Sequence, residues 1–261
     1  MTTPLPLELQ DRVALVTGAS SGIGAAVARR FAAAGAAVAL VGRHTQSLQQ
    51  IAEELSRQGC RAHPITADLL AEDGPTCALT ETIKAFGQLD VLVNAAGIIS
   101  SGTIENTSLA DWDRMMHINV RAAFELMQRA LPYLITRRGN IVNISSVTGP
   151  RSFPGVLAYC VSKSALDQLT HCAALELAAQ GVRVNAVNPG VVVTNIHRAG
   201  GMDEAAYQAF LERSCTTHPL GRVGTAKEVA ELVLFLASDR ASWITGVTYA
   251  IDGGRALTCA R

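Results

Sequence analysis

The feature that most constrains the fold is an apolar run that leads directly into three closely spaced glycines. Residues 13–17, Val-Ala-Leu-Val-Thr, read as a buried strand, and Gly18, Gly22 and Gly24 follow at once. The next residues, 25–32, are good helix formers, so the order is strand, tight turn and helix. Glycine lets the backbone approach an anion closely, and a helix N-terminus favours negative charge. The segment predicts a phosphate-binding turn, although its Gly-x-x-x-Gly-x-Gly spacing differs from the commoner dinucleotide fingerprint.

Short apolar runs alternate along the chain with longer segments of helical period. This alternation is typical of repeated βαβ units and a parallel sheet. We therefore expect a Rossmann-type, doubly wound α/β fold with seven parallel strands and helices on both faces. The predicted strands are residues 12–17, 36–42, 61–66, 89–94, 139–145, 182–188 and 246–251.

Length and composition narrow the class of protein. The 261 residues, 49% of them apolar, suit one large domain, and no boundary divides them, so we expect a single domain over 1–261. The 22 Lys and Arg balance the 22 Asp and Glu, which leaves no basic field for nucleic acid or an anionic membrane. Residues 1–6 lack the features of a signal peptide, and no apolar run approaches the ~18 residues of a membrane span. We expect a cytoplasmic protein without a metal site, whose cysteines lack Cys-x-x-Cys spacing and are reduced thiols.

A second motif, Tyr-Cys-Val-Ser-Lys, occupies residues 159–163. In a helix, Tyr159 and Lys163 share one face about a turn apart. A neighbouring ammonium stabilises phenolate and lowers the tyrosine pKa from about 10. Tyr159 is therefore a candidate acid/base, while chance can also produce this spacing on a solvated helix face.

The two motifs together resemble the short-chain dehydrogenase/reductase family, in the subgroup that includes 3-oxoacyl reductases and glucose dehydrogenases. The resemblance covers nearly the whole chain, and only Ala95 departs slightly, since many members have a second asparagine there. Further matching positions are Asp68, Asn94-Ala95-Ala96-Gly97, Asn119, Asn188-Pro189-Gly190, Thr194 and Ile251-Asp252-Gly253-Gly254.

The resemblance implies hydride transfer between a nicotinamide cofactor and a secondary alcohol or ketone. Tyr159 would give or take the proton, and Lys163 would lower its pKa and bind the nicotinamide ribose. Ser146 would hydrogen-bond the substrate oxygen, with Ser145 as the fallback. Asn119 would hold a water in a proton relay, and its alternative role is a local kink bonded to backbone.

For the cofactor, the resemblance implies three groups of contacts. Asn94, Ala95 and Gly97 would line the adenosine ribose, Asp68 and Leu69 the adenine, and Val192 and Thr194 the carboxamide. The full set of predicted cofactor contacts is Gly18, Ser20, Ser21, Gly22, Ile23, Gly24, Arg43, Asp68, Leu69, Asn94, Ala95, Gly97, Tyr159, Lys163, Pro189, Gly190, Val192 and Thr194.

The end of the second predicted strand bears on which nicotinamide cofactor is used. Gly42 stands where an acidic residue would bind the ribose 2′-hydroxyl. Arg43 follows and can pair with a 2′-phosphate. We expect NADP(H) rather than NAD(H), although Ser21 stands where many NADP-using relatives have a basic residue. Arg43 could instead be a surface residue or stack on adenine.

Two further segments carry expectations about the substrate and the assembly. Residues 190–222 form a long irregular region after the sixth strand and are predicted to be a substrate lid, with a disordered surface loop as the alternative. The apolar side chains at Met202, Tyr207, Phe210 and Leu211 favour the lid. Residues 160–180 are apolar on more than one face, which predicts a subunit contact and agrees with the homodimers and homotetramers usual in the family.

The substrate stays open between a 3-oxoacyl thioester and, with NAD(H), a sugar, steroid or small alcohol. Arg151, Phe153, Val156 and the lid are expected to decide. A carrier-protein substrate would need a basic surface near the pocket, for which Arg121, Arg129, Arg137 and Arg138 are candidates. A non-catalytic dinucleotide sensor is the alternative from another class, and a lyase or epimerase is less favoured because no added substrate domain fits the chain.

Overall fold

Seven parallel strands form one sheet in the order β3-β2-β1-β4-β5-β6-β7. The computed structural model describes residues 7–258, so residues 1–6 and 259–261, which include Cys259, lie outside the described part. The order reverses between β1 and β4, the switch point where an open α/β sheet leaves a crevice. The strands are β1 Val13–Thr17, β2 Ala37–Gly42, β3 Ala62–Thr66, β4 Val91–Asn94, β5 Asn140–Ile144, β6 Arg183–Pro189 and β7 Thr248–Ile251.

Helices cover both faces of this sheet, which confirms the predicted fold. Strand side chains alternate between the two faces, so Ala14 and Val16 pack under one helical layer and Val13 and Leu15 under the other. The first layer is α1, α2 and α9, and the second is α3, α5 and α6. The helices are α1 Gly22–Ala33, α2 Thr45–Arg57, α3 Gly74–Phe86, α4 Leu109–Met116, α5 Ala122–Arg137, α6 Leu157–Leu177, α7 Ile196–Ala199, α8 Glu204–Thr217 and α9 Ala226–Ala237.

The segment from 190 to 222 is more regular than the sequence indicated. Helices α7 and α8 occupy much of it, so the expected irregular region is wrong in that respect. Asp203 caps α8 by accepting from the Ala206 N–H at 2.8 Å. Tyr207 is fully buried, and its hydroxyl donates to the Thr194 carbonyl at 3.0 Å. The helix is therefore fixed to the chain that follows β6.

Within residues 7–258, no helix is long and apolar enough to cross a membrane. In the same range no group of His, Cys, Asp and Glu side chains is arranged to hold a metal ion. The cysteines that the structure describes are free thiols, at positions 60, 77, 160, 172 and 215.

Candidate active site

A cavity of about 760 Å³ opens at the carboxyl ends of the strands. Ligands of open parallel sheets bind at this edge. All predicted site residues except Asn94 and Asn119 line the cavity. The sequence motifs, which are scattered over the chain, therefore meet at one place.

The glycine turn between β1 and α1 has the geometry that an anion site needs. Gly18 has a φ of 65°, and a side chain there would place its Cβ 2.9 Å from the Ala95 carbonyl oxygen. A Cβ on Gly24 would clash with the Gly18 carbonyl. No side chain among residues 7–258 caps the start of α1, and the turn lines the cavity. These residues fit the pyrophosphate of a dinucleotide.

Thr17 is a supporting residue to which the sequence analysis gave no role. Its hydroxyl accepts from the backbone N–H groups of Ala95 and Ala96 at 2.9 and 3.0 Å. This ties the loop after β4 to the end of β1. Its position directly before the glycine turn was the available sequence signal for this role. Its hydrogen-bond partners, Ala95 and Ala96, lie far away in the sequence.

At the adenosine end, the exposed Arg43 follows β2 on the cavity wall. Its guanidinium forms no hydrogen bond or ion pair with any residue that the structure describes between 7 and 258. Asp68 is also exposed, and its carboxylate accepts from the Leu70 N–H at 3.0 Å. Asp68 thus caps its own loop as well as lining the cavity.

Asn94 is placed differently from the prediction. Its side chain is buried at the end of β4 and donates to the Asn143 Oδ1 atom at 2.8 Å, and Asn143 donates to the Thr170 hydroxyl at 2.9 Å. The alternation of side chains along the strand turns Asn94 into the sheet–helix interface. The side chain therefore joins β4, β5 and α6 and does not line the cavity.

Tyr159, Lys163 and Ser146 lie together in the buried wall of the cavity. Tyr159 and Lys163 are one turn apart on α6, and Ser146 follows β5. The Lys163 ammonium donates to the Ile144 carbonyl at 2.8 Å and lies 5.7 Å from the centroid of the Tyr159 ring. The Ser145 hydroxyl points elsewhere and donates to the Lys163 carbonyl at 3.2 Å. Ser146 is thus the serine that faces the phenol.

Burial is the main cause of the pKa shifts of Tyr159 and Lys163. It raises the pKa of Tyr159 to about 12, against the opposing effect of a hydrogen bond with Ser146. It lowers the pKa of Lys163 to about 8, and Asp167 acts in the opposite direction. The predicted lowering of the tyrosine pKa by Lys163 is not found, because desolvation of the phenol dominates. The Tyr159 phenol is therefore protonated at neutral pH.

Asn119 lies in a π-helical turn, His117–Arg121, between α4 and α5. Its Oδ1 atom accepts from the Ile98 N–H at 2.9 Å, and its Nδ2 atom donates to the Ile98 carbonyl at 3.0 Å. A Cβ on Gly97 would lie 3.2 Å from Asn119 Oδ1 and 3.5 Å from Lys163 Nζ. The side chain thus holds the loop beside Lys163, while the water relay and the local-kink alternative both stay predictions.

A buried polar pair behind the site was missed from sequence. The Asn188 Nδ2 atom donates to the Asp167 Oδ2 atom at 2.8 Å and to the Ser146 carbonyl at 2.9 Å. Burial raises the pKa of Asp167, with the hydrogen bond from Asn188 and the charge of Lys163 opposing. The available signal was the helical spacing, since Asp167 follows Lys163 by one more turn.

Much of the remaining cavity lining is apolar. A polar exception is His197, whose ring lies 4.6 Å from the Phe210 ring and whose pKa is lowered by burial. Arg151 does not line the cavity, since its guanidinium donates to the Ala256 carbonyl. These apolar lining residues include Ile98, Ile99, Val147, Phe153, Pro154, Val156, Ile196, Ala199 and Phe210.

The four arginines proposed as a basic surface do not line the cavity. Arg121 pairs with Glu125 at 2.7 Å along α5, and Arg137 pairs with the buried Asp90 at 2.8 Å. Arg137 and Arg138 precede β5, so they lie at the amino edge of the sheet, away from the cavity. Different arginines line the cavity instead, namely Arg43, Arg114, Arg213 and Arg255.

The strand order, the glycine turn and the cavity define the class: a Rossmann-type protein that binds a dinucleotide. A family model described as enoyl-(acyl carrier protein) reductase matches residues 18–256. The chain is 36% identical over 249 residues to the 3-oxoacyl-(acyl-carrier-protein) reductase FabG of Thermotoga maritima, covering 95% of this chain and 99% of the relative. It is 38% identical over 261 residues to the glucose 1-dehydrogenase of Gluconobacter oxydans, covering 97% and 96%.

Solved structures agree with these relatives. A short-chain dehydrogenase/reductase of unknown function from Caenorhabditis elegans, solved with cofactor, superposes with a TM-score of 0.92 at 34% identity, covering 97% of this chain and 98% of that one. The chain belongs to the short-chain dehydrogenase/reductase family. It is an NAD(P)-dependent oxidoreductase.

Proposed function

We propose that this enzyme transfers a hydride between NADP(H) and a secondary alcohol or its ketone, with Tyr159 as the acid/base. The observation that carries the proposal is the shared wall on which Ser146, Tyr159 and Lys163 face the same cavity as the glycine turn. The glycine turn and residues 189–194 would hold a nicotinamide dinucleotide, which would supply or accept the hydride when bound.

The side chains divide the remaining work between them. In the direction of reduction, the Tyr159 phenol donates its proton to the carbonyl oxygen, and the Ser146 hydroxyl donates a hydrogen bond to the same oxygen. The raised pKa keeps the phenol protonated until transfer. The Lys163 ammonium is the buried cation beside the phenolate that remains, so it stabilises that charge.

Arg43 supports the preference for NADP(H). Its guanidinium is exposed on the cavity wall after β2, and Gly42 places no carboxylate beside it. A dianionic 2′-phosphate would form charge-assisted hydrogen bonds with this free guanidinium. The alternative with NAD(H) requires Arg43 to act only as a surface residue or by stacking on adenine.

The substrate that fits best is a ketone with an apolar chain, and a 3-oxoacyl thioester is the favoured class. The cavity lining includes apolar side chains such as Ile99, Phe153 and Phe210, which suit an acyl chain better than a sugar rich in hydroxyl groups. Helices α7 and α8 would act as the lid over this chain. Sugar, steroid and small-alcohol substrates remain the alternatives, as does a sensor without turnover.

We also propose a homodimer or homotetramer that uses α5 and α6. Phe124, Val161 and Leu175 are exposed apolar residues on these two helices. Such side chains favour burial against a second copy of the chain. The cytoplasmic location stays a prediction.

A panel of ketones and alcohols tests the proposed reaction, with the absorbance of reduced nicotinamide as the readout. The panel includes short and long 3-oxoacyl thioesters, a steroid ketone, glucose and a small ketone, each with NADPH and NADH. We expect turnover to be fastest with an oxoacyl thioester and NADPH. Tight binding of cofactor without turnover of any compound would instead support the sensor.

A further inference from the structure

We propose that His218 is a positioning residue that holds the nicotinamide-side loop, residues 189–192, against the end of α8 in one neutral tautomer. This inference rests on the proposed function, because it takes that loop to bind the cofactor. His218 lies at the C-terminus of α8 and is 2% exposed. Its imidazole has a hydrogen-bond partner at each ring nitrogen.

The two partners determine the tautomer. The Nδ1 atom lies 2.7 Å from the Ser214 carbonyl oxygen, which can only accept, so Nδ1 carries the proton. The Val191 N–H donates to Nε2 at 3.1 Å, so Nε2 carries the lone pair. An imidazolium could not accept from Val191. The neutral Nδ1–H form is therefore the one that this structure requires.

The loop is shaped to receive the ring. A Cβ on Gly190 would lie 2.8 Å from the His218 Nε2 atom and 2.9 Å from the Asp252 Cα atom. Asp252 is the ionisable side chain on this side of the ring, and its carboxylate accepts from the N–H groups of Gly254 and Ala256 at 3.0 and 2.6 Å. Glycine at position 190 thus leaves room for the imidazole between the loop and the turn after β7.

Helix α8 and its C-terminal residue His218 bind the chain after β6 at two points, Val191 and Thr194. The Val191 N–H bonds to His218 at the end of the helix, and the Thr194 carbonyl accepts from Tyr207 near its start. Phe210 and Ser214 of the same helix line the cavity. His218 therefore connects the helix that faces the substrate to the loop that faces the cofactor.

Two substitutions of His218 test its hydrogen bonds to Val191 and Ser214 one at a time. The longer amide of His218→Gln can place an oxygen near the Nε2 position and accept from Val191. The shorter amide of His218→Asn can place its nitrogen near the Nδ1 position and donate to Ser214, but it leaves Val191 unpaired. Both variants lose the ring, so a purely structural role predicts similar losses of thermal stability and no difference in cofactor binding.

The readout is the Kd for NADPH, measured by fluorescence without turnover. We expect His218→Asn to weaken NADPH binding about five- to tenfold, as for the loss of one buried hydrogen bond, and His218→Gln to stay within about twofold of the parent. A similar Kd in both variants and the parent would overturn the proposal. If the enzyme binds NADPH but reduces no ketone, the proposed reaction fails while this comparison still stands.

A second measurement uses only the parent enzyme, so it does not depend on whether the variants fold. Nitrogen NMR of the uniformly isotope-labelled parent enzyme reports the tautomer of each of the six histidines in the sequence. We expect a buried imidazole at neutral pH with a protonated Nδ1 and an unprotonated Nε2, assigned to His218 by the nitrogen–nitrogen coupling across its hydrogen bond from the Val191 N–H. A spectrum with no imidazole in this tautomer would contradict the proposal.

Discussion

The Asn188 amide nitrogen lies 2.8 Å from the Asp167 carboxylate, in the buried layer behind the candidate catalytic residues. The same nitrogen donates to the Ser146 carbonyl. The pair therefore fixes the loop that carries Ser146 to the helix that carries Tyr159 and Lys163. Asp167 also opposes the effect of burial on Lys163, so it influences the charge of the site as well as its shape.

The pH dependence of kcat/KM should follow the charge of Lys163. Its pKa is about 8, so the ammonium is lost and activity should fall as the pH rises through that value. Asp167→Asn removes the charge that raises this pKa, so the basic limb should move to lower pH. The arginine of Lys163→Arg stays protonated, so kcat/KM of this variant should not fall between about pH 7 and about pH 10. A limb that stays in place in Asp167→Asn would contradict this role.

The two neighbouring serines provide a matched pair. Ser146→Ala removes the hydroxyl that faces the phenol and should lower kcat about 100-fold, as for a donor to a developing oxyanion. Ser145→Ala removes a hydrogen bond to the Lys163 carbonyl and should cost about 1 kcal/mol of stability, with a much smaller effect on kcat. Steady-state kinetics and thermal unfolding of both variants check the assignment, and equal losses of kcat would reject it.

Cofactor selectivity should depend on Arg43. Arg43→Ala should raise the KM for NADPH about tenfold or more and change the KM for NADH little, because only NADPH carries the 2′-phosphate. Arg57→Ala is the control, since that arginine is exposed at the other end of α2 and donates to the Glu53 carbonyl. Equal effects of Arg43→Ala on the two cofactors would argue for a surface or stacking role.

Assembly through α6 should be sensitive to charge at Leu175. This side chain is 83% exposed, as is Ile104, which lies in a different part of the chain. Leu175→Glu should reduce the particle mass measured by light scattering, while Ile104→Glu should leave it unchanged. A parent enzyme that is monomeric at micromolar concentration would count against the subunit contact.

The sheet could be predicted from sequence because its strands carry short apolar runs, which are continuous in β1 at residues 13–16 and in β4 at residues 91–93. The predicted strands agree with the structure to within about two residues, as expected where one run forms one strand. Tyr159 and Lys163 could be paired for a similar reason, since their spacing fixes their positions on one helix. These features depend on neighbours in the sequence.

What could not be predicted depends on contacts between distant segments. The pKa of Tyr159 is raised because several elements bury the phenol, an effect that the spacing to Lys163 does not contain. Helix α8 was expected to be irregular because only Tyr207 and Ser214 are buried in it, which gives a weak apolar pattern. The role of His218 depends on Val191, a partner in a different element.

The most direct test follows a deuterium atom. NADPH carrying deuterium at its transferable position is mixed with the best ketone of the panel, and the alcohol is analysed by mass spectrometry. We expect deuterium on the carbinol carbon with the parent enzyme, and a rate about 1,000-fold lower with Tyr159→Phe, which should still bind NADPH. Transfer by Tyr159→Phe at close to the parent rate, or an alcohol without deuterium on that carbon, would contradict the account.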